Sequence, residues 1–313
     1  MRLFFVTDIH GSDLCFRKFL NAATAYEADV ILLGGDISGK HIVPIISRGS
    51  EYQADHFGEH LMARSQKELE DLVQRTRDVA GYPYVCEPDE WASILGSEEE
   101  QHALFVRLSL ELVTRWIELA EQRLAESGVR CLIGAGNDDP VEIDEVLGQS
   151  TFVENPDWRV LDLDDFSLIS VCDANPTPWR SPRELSEEEF ARRLSALAET
   201  IEDHDRSIFN LHVPPYNSTL DTAPTIDAEF RVQYAGGEPR TGPVGSTAVR
   251  EAIERFQPLL GLHGHVHESQ GFTRLGRTLC INPGSTYQEG TLRGALINLN
   301  GRKGVKSYQF TSG

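Results

Sequence analysis

Cysteine and basic residues are scarce in this chain, and long apolar runs are missing. The five cysteines, Cys15, Cys86, Cys131, Cys172 and Cys280, are odd in number, scattered, and form no C-x-x-C pair. That argues against a disulfide framework and for free thiols in a reducing compartment. Lysine and arginine total 29 against 49 acidic residues, a net charge of −20. Such a surface repels nucleic-acid backbones and anionic membranes, so no bulk nucleic-acid binding is expected. No stretch approaches the ~20 apolar residues of a membrane span. The apolar run at residues 3–6 is too short for a leader, so the expected setting is cytoplasmic, without membrane attachment. Hydrophobic residues at 40% are enough for a sizeable core, and there is no internal repeat or low-complexity segment.

The pattern along the chain is α/β first and β-rich last. Residues 2–7 predict a buried strand, 12–25 a helix and 29–33 a second strand, a β-α-β opening that implies a parallel pair. Residues 40–128 look like an insertion. They predict a strand pair at 42–47 and 51–57, an amphipathic helix at 65–80, a loop at 81–88 and a long helix at 98–127. The insertion suits a cap over a site or a dimer interface. Further strands are expected at 130–134, 158–161, 167–171, 207–211, 258–262, 269–273, 277–281, 294–298 and 305–310. Ser186 and Glu189 form a capping box for a helix to 201, and another helix is expected at 246–256. Residues 213–244, rich in Pro and Gly, predict a long irregular loop. Residues 1–313 read as one domain of two packed sheets with helices outside.

Five short polar blocks fall at the ends of predicted strands, where α/β folds place their sites. Asp8 and His10 follow the first strand; at i and i+2 of an extended segment they would point the same way. Asp36 follows Gly34 and Gly35, and its two oxygens can bridge two metals. Asn137 follows Gly136 and offers a neutral carbonyl oxygen. His212 ends a strand and precedes the stiff pair Pro214 and Pro215. Gly264, His265, Val266 and His267 follow an apolar run and carry the strongest individual metal signal. Alone, each of the others reads as well as a turn or a helix cap; one shared explanation outweighs five separate ones.

The series Asp8-x-His10, Gly35-Asp36, Gly136-Asn137, His212 and Gly264-His265-x-His267 resembles the signature of the calcineurin-like metallophosphoesterases, in the family's order. The resemblance leans toward the bacterial and archaeal phosphodiesterase-like branch. It implies a four-layer α/β/β/α sandwich of two mixed β-sheets, here with a mainly helical insertion at 40–128. It implies two divalent metal ions, manganese first, with iron, zinc, cobalt, nickel or magnesium as further members of the same class. Asp8, His10, Asp36 and His267 would hold the first metal; Asp36, Asn137, His212 and His265 the second. The implied activity is hydrolysis of a small phosphodiester or phosphomonoester by attack of a metal-bridging hydroxide. The alternative is a non-catalytic scaffold on the same fold.

One position departs from the commonest family pattern: Asp138 stands where many members have His after the Asn. A carboxylate beside two dications favours its ionised form, so Asp138 is expected to be a poor general acid and to repel a phosphate oxygen, favouring diesters or substrates with stable leaving groups. Tyr216 and Asn217, in the loop after His212, are candidate substrate contacts. The turn Asn282 to Tyr287 resembles a family turn near the site, and Arg231 and Arg240 are further candidates for phosphate. His41, His56, His60, His102, His204 and His263 read as structural or surface residues, although on a regular strand His263 would share a direction with His265 and His267.

Overall fold

The computed structural model describes residues 1–56, 58–227, 229–301 and 303–313. Two mixed sheets form its centre. The first has the strand order Gly304–Ser312, Arg293–Asn300, Arg2–Val6, Val30–Gly34, Arg130–Gly134. Its last three strands run parallel and the first two join antiparallel. The second sheet has the order Gly271–Leu275, Thr278–Asn282, Leu260–Leu262, Ser207–Leu211, Phe166–Val171, Arg159–Leu163. Its four central strands are parallel and its two edges antiparallel.

Alternation along the strands builds the layers. Leu3, Phe5, Val30 and Leu32 of the first sheet pack with Leu168, Ile208, Leu260 and Leu279 of the second, which places an apolar layer between them. The intervening residues Phe4, Val6, Ile31 and Leu33 face outward onto helices Asp13–Ala25 and Glu98–Leu124. On the far side Ile169, Val171, Phe209 and Leu211 pack against helices Glu187–Ala198 and Thr247–Phe256. This is the expected α/β/β/α sandwich. All five cysteines are buried and unpaired with one another. No helix is long and apolar enough to cross a membrane among the described residues.

Segment 40–128 leaves the first sheet after Val30–Gly34 and returns at Arg130–Gly134. It holds more strand than the sequence pattern predicts. The expected pair is present as His41–Arg48 and Glu51–His56, joined by Glu59–Ala63 and Gly81–Cys86 in one four-stranded sheet; the predicted end of the pair, Phe57, lies outside the described residues. Residues 81–86 form a strand, not the expected loop. Pro83 is tolerated because that strand is at the sheet's edge, paired only with His41–Arg48. Helix Gln66–Asp78 covers this small sheet through Leu69 and Leu72, which meet Val43, Ile45, Ala54 and Ala63.

The long helix Glu98–Leu124 belongs to a different core. It starts with Ser97 capping Glu100 N at 3.2 Å and three glutamates in its first turn. Its Leu112, Val113, Trp116 and Ala120 join the outer core of the first sheet. The Trp116 ring stacks on Phe16 at 4.2 Å, and its Nε1–H donates to Asp13 Oδ1 at 2.6 Å. Helices Pro88–Leu95 and Ile143–Gln149 are not anticipated by the sequence pattern. The expected irregular loop at 213–244 contains two short ribbons, Thr222–Pro224 with Thr241–Pro243 and Tyr234–Ala235 with Glu238–Pro239.

Candidate metal centre

The carboxyl ends of Arg2–Val6, Val30–Gly34 and Arg130–Gly134 in one sheet meet those of Ser207–Leu211 and Leu260–Leu262 in the other. The loops leaving these five ends carry the seven residues predicted as ligands. The structure brings all seven together. Donor atoms of Asp8, His10 and His267 lie within 4.8 Å of one another, as do those of Asp36, His212 and His265. Asn137 Oδ1 sits 2.8 Å from His265 Nδ1, which adds it to the second group. Asp36 reaches toward both: its Oδ2 is 3.7 Å from His10 Nε2 and 3.5 Å from His212 Nε2.

Convergence comes from turns, not from an extended strand. The first strand ends at Val6, and Asp8 and His10 have φ of 55° and 42°. Asp36 and His265 are left-handed as well, at 50° and 63°. Four non-glycine residues in this region store strain of order 1 kcal/mol or more each. The same turn separates His263 from the other two histidines. Its Nδ1 lies 2.7 Å from Leu211 O, so that ring anchors to backbone, away from the centre.

Backbone and polar neighbours hold the ligands. His212 Nδ1 is 3.0 Å from Gly34 O, a carbonyl that can only accept, so Nδ1 carries the proton. Its Nε2 then faces Asp8 Oδ1 at 3.7 Å and Asp36 Oδ2 at 3.5 Å. His265 N–H donates to Asp8 Oδ2 at 3.0 Å. Ser285 Oγ donates to Asp8 O at 2.6 Å, and Asn282 Nδ2 donates to Val266 O at 3.0 Å. The Tyr287 ring lies 4.7 Å from that of His10. The turn from Asn282 to Tyr287 therefore braces both ligand loops. Asp139 braces the others: its carboxylate accepts from Ile37 N at 2.9 Å, Ser38 N at 2.7 Å and Gly136 N at 2.6 Å.

The charge pattern is that of a cation site. Burial pushes the Asp36 carboxyl up, but His212 and His10 beside it hold it well below the usual carboxylate range. Burial opposes the His212 cation, yet Asp36 and Asp8 raise its pKa to about 9. His267 is raised against the pull of burial by Asp8, its nearest carboxylate. Burial lowers His265 to about 4, and burial with nearby Lys40 lowers His10. The His212 imidazolium thus neutralises carboxylates in space where a cation would serve.

The donors fit divalent metal ions on three counts. His212 Nε2 is buried without a hydrogen-bond partner. His10 Nε2 and His267 Nε2 face each other at 3.0 Å, a contact that needs a proton or a cation between them. A Cβ at Gly264 would overlap the Asp8 carboxylate and Thr7 Oγ1, so the close approach of that loop requires glycine. The ligand set is nitrogen and oxygen without thiolate, suited to manganese, iron or zinc.

No family model matches the chain. An uncharacterized protein of Methanocaldococcus jannaschii, MJ1162, is 27% identical over 177 residues, 56% of this chain and 70% of that one. The crystal structure of TT1561 of Thermus thermophilus aligns over 100% of this chain and 97% of its own, with TM-score 0.53 and 14% identity. Another crystal structure aligns over 99% and 98%, with TM-score 0.58 and 13% identity. The likeness to these two solved structures shows a shared two-sheet fold, and the motif blocks meet at its rim. The chain shares the two-sheet α/β/β/α fold of these two structures.

Within this fold, Asp138 is more engaged than its sequence suggests. Its N–H donates to Asp36 Oδ1 at 3.0 Å. Its Oδ1 accepts from Ser181 Oγ and Asn137 Nδ2, both at 2.9 Å, and its Oδ2 pairs with Lys40 Nζ at 2.7 Å. Asp138 therefore does not present a bare carboxylate. Neither Lys40 nor Ser181 carries a sequence signal: each lies in an unremarkable stretch and meets Asp138 only through the fold. The predicted substrate contacts Tyr216 and Asn217 sit in a turn held by Arg250, whose Nη1 donates to both carbonyls at 2.8 and 3.1 Å. Among the described residues no hydrogen bond or ring contact joins Tyr216, Asn217, Arg231 or Arg240 to the seven ligands. A cleft of about 480 Å³ opens beside His267, lined also by Ser285, Tyr287 and Arg293. A larger hollow of about 790 Å³ runs along the long helix past Arg77, His102 and Arg107, and no candidate ligand lines it.

Proposed function

We propose that this chain is a two-metal phosphoesterase acting on small phosphodiesters or phosphomonoesters. The observation that carries the reading is the pair of donor groups, Asp8–His10–His267 and Asp36–His212–His265, converging at one rim. Asp8, His10, Asp36 and His267 would hold one ion; Asp36, Asn137, His212 and His265 the other. Two divalent cations, manganese foremost, supply charge for phosphoryl oxygens and acidify a water.

The chain's own residues do the positioning. Gly34 O fixes the His212 tautomer so that Nε2 offers its lone pair inward. Ser285 and the His265 N–H hold Asp8 from opposite ends of the residue, and Asp139 ties the Asp36 loop to the Asn137 loop. Rigid donors need no reorganisation during reaction, the condition for electrostatic stabilisation. His267, partly open to the cleft, marks the side from which an ester enters. The reading includes a single domain over residues 1–313 with 40–128 inserted, and a cytoplasmic setting, which the five unpaired thiols support.

The test is hydrolysis of bis-p-nitrophenyl phosphate and p-nitrophenyl phosphate by protein loaded with manganese, iron, zinc or cobalt, with metal content measured on the same samples. Metal-dependent turnover with about two ions bound supports the proposal. No turnover on either ester with any of these metals favours a non-catalytic scaffold.

A further inference from the structure

Lys40 is the residue the motif set leaves out. It follows Asp36 by four positions, at the point where the chain leaves the rim for segment 40–128. Its backbone is held on both sides. Gly39 N–H donates to Tyr82 Oη at 2.8 Å, and Tyr82 O–H donates to Ser109 Oγ at 3.0 Å. Ser38 donates to Asp139 from both its N–H and its hydroxyl. Strand Gly81–Cys86 and the long helix thus aim the residue that precedes the small sheet of segment 40–128.

The ammonium is placed at the centre but not consumed there. Nζ pairs with Asp138 Oδ2 at 2.7 Å, and the Asp138 carboxylate lies within 4.8 Å of donor atoms of His10 and Asp36. The Lys40 side chain is 44% exposed, against 28% for Asp138. An ammonium has three donors. Asp138 takes one, leaving two donors for other partners at the centre. Asp138 is in turn fixed by Ser181 and Asn137.

We infer that Lys40 is a phosphate-binding residue: its ammonium donates to the phosphoryl oxygens of the ester, and Asp138 is its positioning partner. The inference rests on the phosphoesterase reading for its substrate and assigns no proton transfer. It accounts for an aspartate after Asn137. A lone carboxylate would repel the phosphoryl group, whereas Asp138 paired with Lys40 is neutralised and brings an ammonium donor with it. A fixed cation gains more from a dianion than from a monoanion, so Lys40 favours the monoester over the diester.

The experiment titrates inorganic phosphate into metal-loaded wild type, Lys40→Met, Lys40→Arg and Asp138→Asn by calorimetry. Metal content, melting temperature and KM for both esters are measured alongside. Lys40→Met is expected to weaken phosphate binding and raise KM for p-nitrophenyl phosphate by roughly 10- to 100-fold, the worth of a charged hydrogen bond. Metal content stays unchanged, and KM for the diester rises less. Lys40→Arg retains most of the affinity, and Asp138→Asn loses less than Lys40→Met. Unchanged phosphate affinity in Lys40→Met overturns the inference. So does loss of metal from that variant, or an equal loss in Asp138→Asn, either of which makes the pair a structural tether. If wild type hydrolyses neither ester but phosphate binding still depends on Lys40, the phosphoesterase reading falls and this one stands.

Discussion

At the rim of the sandwich, Asp8, His10 and His212 are wholly buried, with His212 beside Asp8 and His10 beside Asp36. On segment 40–128 ionisable side chains pair nearer to solvent, as Arg75 with Glu59 at 2.6 Å and Arg64 with Glu51 at 3.4 Å. The contrast is one of dielectric. Buried carboxylates and imidazoles cost several kcal/mol each unless charge is matched, so the rim cluster needs cations or protons. Exposed pairs are screened and contribute little.

Substitutions should separate the two environments. The largest effect is expected from Asp36→Asn, which removes charge from the carboxylate between both donor groups. Turnover should fall on the order of 10³-fold or more, the equivalent of about 4 kcal/mol, with metal content reduced when measured by elemental analysis. Full metal content and turnover in that variant would break the comparison at its root.

Next comes the long helix, which belongs to the segment in sequence but to the sandwich in packing. Trp116→Ala removes the ring stacked on Phe16 and should cost about 3–5 kcal/mol in denaturant unfolding. Leu72→Ala in the small core of the segment should cost about 2–3 kcal/mol. A larger loss from Leu72 than from Trp116 would mean that the segment, and not the helix–sheet contact, dominates stability.

Proton competition sharpens the picture of the rim. Asp36 and Asp8 hold His212 protonated to about pH 9 against the opposing effect of burial. In chelator-treated protein that raised pKa contributes stability which is full below the ordinary histidine value of 6.5 and lost as pH rises through about 9. A metal must displace the same proton. Metal affinity should therefore climb by about tenfold per pH unit between pH 7 and 9, then level off. A flat calorimetric profile over that range contradicts the proton-filled description of His212. The smallest effect is expected from Arg75→Ala, about 0–0.5 kcal/mol in melting experiments.

Legibility in the sequence follows the same division. The seven candidate ligands are readable because each follows an apolar strand, four of them across a glycine, and strand ends are local features. The expectation for Asp8 and His10 is only half right. They converge, but through left-handed turns at φ 55° and 42°, not through the period of an extended strand. Strand Gly81–Cys86 is unreadable because its Gly and Pro are turn residues; its identity comes from pairing with His41–Arg48, a partner some 40 residues away.

Two things are written in the sequence alone: the alternating apolar order that makes two sheets, and the polar blocks that end their strands. Each is encoded within a few neighbouring residues. Who stands beside those blocks is settled by the packed molecule. Lys40 meets Asp138, Ser181 meets Asn137, and Ser285 meets Asp8 across separations of 98, 44 and 277 residues. No local period encodes such contacts, because they arise where loops from different strands are carried to one rim by the packing of two sheets.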